Sequence, residues 1–152
     1  MVKILATLAA LMVGSTPAFA QLRWCWRFAA SSVSAAGTIT TGKDADAEGF
    51  YRIVGITGTV NSATVTAVQP TGTAIPGNTG FPVDNLIRST APQLTKHGFG
   101  FAASDGAYHN PFHLEQYRDY ISRPPYADGK GAEPTIEFKV VAAAANSDCS
   151  TE

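Results

Sequence analysis

The chain has 152 residues, of which 15% are charged, and a formal net charge of −1. That balance sets up no long-range field toward phosphate backbones or acidic membranes, which argues against nucleic acid as a partner. The length suits one ordinary domain, and no period of about 20–50 residues recurs, so solenoids and propellers are not expected.

The first twenty residues read as a cleavable secretory signal: Lys3, an apolar run over 4–13 and the small-residue ending Ala18-Phe19-Ala20. The run is too short to cross a bilayer of roughly 30 Å as a helix. The segment is therefore an export tag, the mature chain begins at Gln21, and no integral membrane segment is expected in it. Leu22, Trp24, Trp26 and Phe28 alternate with Arg23, Cys25 and Arg27, the period-2 pattern of a strand with its aromatic face inward. Cys25 then points outward, where a tail carrying Cys149 can reach it. Export favours a disulfide between them, with two free thiols or an intermolecular bridge as the alternatives.

Residues 37–41 have the β-branched content of a second strand, and a charged loop over 42–49 follows. In that loop Asp44, Asp46 and Glu48 begin like a calcium site, with hard oxygen ligands at alternate positions and a glycine at Gly49. The twelfth position is Gly55 instead of a bidentate Glu, so a solvated acidic turn is the preferred reading. The strongest strand signal spans 50–60, where Gly55 and Gly58 mark a bulge or a close backbone approach. Asn61-Ser62 is a tight turn into a strand over 63–68. Residues 69–82 are dense in Pro and Gly and predict a long loop. Short strands are expected over 83–88 and 99–103, then a turn at Ser104-Asp105-Gly106 and a return strand over 108–117, interrupted at Pro111. A helix over 110–121, capped by Asn110 with Pro111 in its first turn, is the competing reading. After a turn-rich stretch, Ile136, Phe138 and Val140 alternate with Glu137 and Lys139 in a final strand. The sum is an all-β fold, a single antiparallel β-sandwich or flattened barrel of roughly seven to eight strands.

Trp26-Arg27-Phe28, the segment from Ala36 to Thr41, the glycine- and threonine-rich strand from Gly49 to Thr59, Asp84-Asn85-Leu86 and Gly98-Phe99-Gly100-Phe101 follow one another in a familiar order. In this the chain resembles exported bacterial all-β proteins of the PEP-CTERM-sorted class, over about residues 24–141. Its last residues depart from that class, which ends in a sorting motif, an apolar helix and basic residues. The resemblance implies an exported all-β protein and carries over no active-site residue.

His109 and His113, with Glu115 close by, raise a zinc-dependent or hydrolytic secreted enzyme as the rival function. Pro111 spoils a helical pairing, and on a regular strand the two imidazoles stand roughly 13 Å apart. No Gly-x-Ser-x-Gly nucleophile motif is present. No cofactor is therefore expected, calcium and zinc being the candidates that spacing raises. Tyr108, Asn110, Tyr117, Tyr120 and Tyr126 form the candidate ligand-binding set, tyrosines for stacking on sugar rings and an amide for hydroxyls. The sequence thus predicts a secreted or periplasmic, non-catalytic binding or structural module whose partner is an extracellular glycan or an envelope protein.

Overall fold

A computed structural model describes residues 21–149; the signal reading of residues 1–20 lies outside them. The described residues form nine strands and no helix: β1 (Gln21–Ala30), β2 (Val33–Ala45), β3 (Tyr51–Val60), β4 (Ala63–Val68), β5 (Leu86–Ile87), β6 (Phe101–Ala103), β7 (Tyr108–His113), β8 (Tyr117–Ser122) and β9 (Glu137–Ala143). All pair antiparallel in one curled sheet, ordered β8-β7-β6-β4-β3-β2-β1-β9 with β5 on β3, which bends into a half-barrel. No helix of the described residues is long and apolar enough to cross a membrane.

The concave face holds the main core. Trp24, Trp26 and Phe28 of β1 pack there with Ile39, Val60, Phe99, Phe101, Phe138 and Val140, as the alternation of β1 and β9 predicts. Trp26, Gly37 and Gly58 occupy one row across β1, β2 and β3. A Cβ on either glycine would run into the backbone of the facing strand, and the Trp26 indole donates to the Thr57 carbonyl at 3.2 Å. Both readings of the strand glycines hold. Gly58 is the close approach, and a bulge lies beside Gly55, where the register slips between Thr40 and Thr41 and leaves Val54 51% exposed.

Several sequence boundaries are corrected. The second strand begins at Val33 and runs to Ala45, taking in half of the expected 42–49 loop, because a long β1 offers it ten residues of continuous pairing. Of 83–88 only Leu86 and Ile87 pair, while Asp84 and Asn85 turn the chain with their side chains. The expected return strand over 108–117 is two strands, β7 and β8, hairpinned through 114–116, and the helix over 110–121 does not form. Pro111 fits because its strand partner Asp119 sends its own N–H away from β7, to the Pro134 carbonyl at 3.1 Å. The proline's missing donor therefore breaks no bond between the two strands.

One device closes the open edge of the sheet at β9, and a second fastens the tail over β1. Val140 of β9 donates to the Gln93 side-chain oxygen at 3.0 Å and accepts from the Gln93 amide nitrogen at 2.7 Å. One glutamine thus stands where the next strand's peptide would, and its own N–H donates to the Tyr117 hydroxyl at 2.6 Å. At the other device, Cys149 is bonded to Cys25. The Arg23 guanidinium donates to the carbonyls of Ala144, Ala145 and Ser147 and lays the tail over β1. Cys25 faces outward as expected, yet is only 5% exposed, and so is the Cys149 bonded to it.

Residues 69–82 form no strand. They cover the convex face of β6–β8, where Ile75 and Val83 pack with Tyr120, Tyr108 and Phe112 in a second, smaller core. Gly100 lies directly beneath, with Ile75, Gln69 and Val83 filling the space a side chain would need.

Candidate functional site

The tyrosines expected to bind ligand are divided between the two faces of β7 and β8. Tyr117 points into the concave core against Phe138, at 5.4 Å between ring centroids. Tyr120, on the convex face, is 8% exposed; its hydroxyl donates to the Gly77 carbonyl at 2.9 Å and accepts from Gly131 N at 3.0 Å, stapling two loops to β8. Asn110 is 2% exposed and spends its amide on the carbonyls of His97 and Phe99. Tyr108 and Tyr126 meet edge to face at 5.7 Å, and the Tyr126 hydroxyl donates to Gly106 O at 2.6 Å. The structure brings Tyr108, Asn110, Tyr120 and Tyr126 to one side of the sheet and leaves Tyr117 on the other, each engaged in holding strands and loops together.

Among the described residues no group of three or more His, Cys, Asp or Glu is placed to hold a metal ion. One carboxylate oxygen of Asp46 accepts from the amides of Glu48 and Phe50, both at 2.9 Å, so it shapes the turn between β2 and β3. Asp44 is exposed beside Lys43 at 4.0 Å, and Glu48 is exposed. Of the other set, Glu115 is exposed in the β7–β8 turn. His113 packs on its cross-strand partner Tyr117, and His109 stacks on Phe101 in the core.

His109 instead has a partner that no spacing in the chain singles out. Its Nδ1 lies 2.6 Å from Asp119 Oδ2, with the two side chains 1% and 0% exposed. The other Asp119 oxygen has no hydrogen-bond partner among the described residues. Burial raises the Asp119 pKa above the ordinary carboxylate value, outweighing the opposing pull of His109 and the more distant Arg123. Sealed beneath Phe28 and Phe101, this pair reaches no substrate and acts within the fold. Asp84 is likewise raised by burial, against a hydrogen bond from the Thr95 hydroxyl at 2.6 Å. Asn85, at φ 55°, donates to Gln69 O and accepts from Gly100 N, tying the long loop to β6.

What remains open to solvent and regular in chemistry is the convex face of β2, β3 and β4. Ile39, Gly58 and Val65 point inward, so the residues on either side of each point out: Thr38 and Thr40, Thr57 and Thr59, Thr64 and Thr66. Register sets Thr38 against Thr57 and Thr59 against Thr64. Neighbouring side chains are therefore about 5 Å apart across strands and about 7 Å apart along them. Thr57, Thr59, Thr64 and Thr66 are exposed, and Thr38 and Thr40 half-buried. The Thr38 hydroxyl accepts from Arg23 and that of Thr66 donates to Ala102 O, both at 3.2 Å. The other four hydroxyls have no partner among the described residues. Sequence reading took these threonines for strand formers. The available signal was Thr-x-Thr recurring on three successive strands, whose adjacency only the hairpin pairings reveal.

No protein-family model, no curated protein and no solved structure matches this chain. The class defined by fold and site is an all-β half-barrel, clasped by a disulfide, with an uncharged threonine face.

Proposed function

We propose that this chain is an exported, non-catalytic β-domain of the bacterial envelope or exterior that binds a neutral, hydroxyl-rich polymer, an extracellular glycan, through the threonine face of β2–β4. The carrying observation is that face: six outward threonines on adjacent strands, four of them with hydroxyls that have no partner among the described residues. β-Branched side chains are stiff at χ1, so little rotamer entropy is lost when they engage a partner. Each hydroxyl both donates and accepts, matching sugar hydroxyls directly or through water. The six threonines themselves carry no charge, and the one guanidinium that touches them, that of Arg23 at Thr38, is shared with the carbonyls of the tail, which favours an uncharged polymer over an acidic one. An oxidising address is supported by the Cys25–Cys149 bond, since such bonds persist outside the reducing cytosol.

The test is retention of the oxidised protein on insoluble neutral polysaccharides, with an anionic polymer as control. Retention should be insensitive to salt. The double variant Thr57→Lys, Thr59→Lys should lose roughly tenfold or more in affinity, while Tyr126→Ala should keep it. Failure of the wild type to bind any neutral polysaccharide, or equal binding by the lysine variant, overturns the proposal.

A further inference from the structure

Gln21 heads β1 opposite Gly42. Its side chain is exposed, and its amide has no hydrogen-bond partner among the described residues. If the leader is cut after Ala20, as the exported reading holds, the α-nitrogen of Gln21 becomes a free amine within five-membered-ring reach of its own side-chain carbonyl carbon. We propose that Gln21 is a modification site whose mature form is pyroglutamate. The α-amine nitrogen attacks Cδ and a lactam C–N bond forms. The bond from Cδ to Nε2 breaks, a proton passes from the attacking to the departing nitrogen, and ammonia leaves. Neither oxidant nor co-reactant is needed.

The surroundings of Gln21 favour the neutral product. Arg23 lies two residues along the same strand face, about 7 Å away, and its guanidinium is committed to the carbonyls of Ala144, Ala145 and Ser147. A terminal ammonium adds a like charge beside it, and the lactam removes that charge. The lactam also leaves aminopeptidases no free α-amine at Gln21.

The inference rests on the exported reading, and one experiment separates the two. The full chain, leader included, is expressed in a bacterium, recovered outside the cytosol and weighed intact without reductant; its α-amines are then labelled by reductive dimethylation. The expected species starts at Gln21, lacks two hydrogens for the disulfide and one ammonia, about 17 Da, and takes no α-amine label. The variant Gln21→Asn, which leaves the rest of the chain unchanged, should retain a labelled amine. A wild-type chain that starts at Gln21 but keeps its ammonia and takes the label overturns the cyclisation and leaves export standing. A retained leader overturns both, whereas a processed chain that starts at another residue overturns the cyclisation and leaves export standing.

Discussion

At the residue scale the informative groups are the buried carboxylates. Burial raises the folded pKa values of both Asp119 and Asp84 above the ordinary carboxylate value. A carboxyl raised in this way binds its proton more tightly folded than unfolded. Its contribution to stability is fully present below the unfolded value and is lost as pH rises through the raised one. The wild type should therefore gain thermal stability relative to the double variant Asp84→Asn, Asp119→Asn as pH falls from neutral toward 4. Melting temperatures of the two proteins across that range check the sign, and parallel profiles would refute it. His109 and Asp119 are separate, unremarkable letters in the sequence. They become a pair only because β7 and β8 are neighbours whose register sets His109 beside Ile121 and Pro111 beside Asp119.

At the element scale, strand identity was legible wherever alternation was strong. β1, β3 and β9 lie where their patterns put them, since each buries one face of apolar side chains and exposes the other. The 108–117 segment was not legible as two strands. Leu114 and Tyr117 also fit helical spacing, and the turn at 114–116 carries no Gly, Pro or Asn to announce itself. Equally invisible was Gln93, a polar loop residue that behaves as part of a strand by satisfying both backbone groups of Val140. Gln93→Ala should cost about 2–3 kcal/mol, two buried-edge hydrogen bonds at roughly 1 kcal/mol each plus desolvation left uncompensated. Hydrogen exchange at the Val140 amide should accelerate more than at the interior strands. Exchange there unchanged from wild type would mean that the glutamine does not guard the edge.

At the scale of the whole molecule, the Cys25–Cys149 bond spans 124 residues of chain, nearly all that the structure describes. Loop-entropy reasoning assigns such a closure about 4–5 kcal/mol. Together with the Arg23 contacts to the tail, it makes the two ends of the chain one unit. The double variant Cys25→Ser, Cys149→Ser should melt roughly 10–20 °C lower. A fall of only a degree or two would mean that the tail adds little to the half-barrel. The covering loop over 69–82 contributes at the same scale, converting the convex face of β6–β8 into a second core. The convex face of β2–β4 stays outside that core, its threonines half-buried or exposed.

By itself the amino-acid order determined the all-β class, the inward aromatic face of β1 and the tight turn at Asn61-Ser62, whereas for the cysteines it favoured a pairing that the structure shows. The first three follow from period-2 burial or local backbone preference within a few neighbouring residues. Only the tertiary structure decided that the tyrosines serve the fold, that His109 belongs to Asp119, and that Thr38, Thr57, Thr59 and Thr64 form one face. Those outcomes depend on which strands become neighbours and in what register, and a register shift of one residue turns every side chain of a strand to the other face.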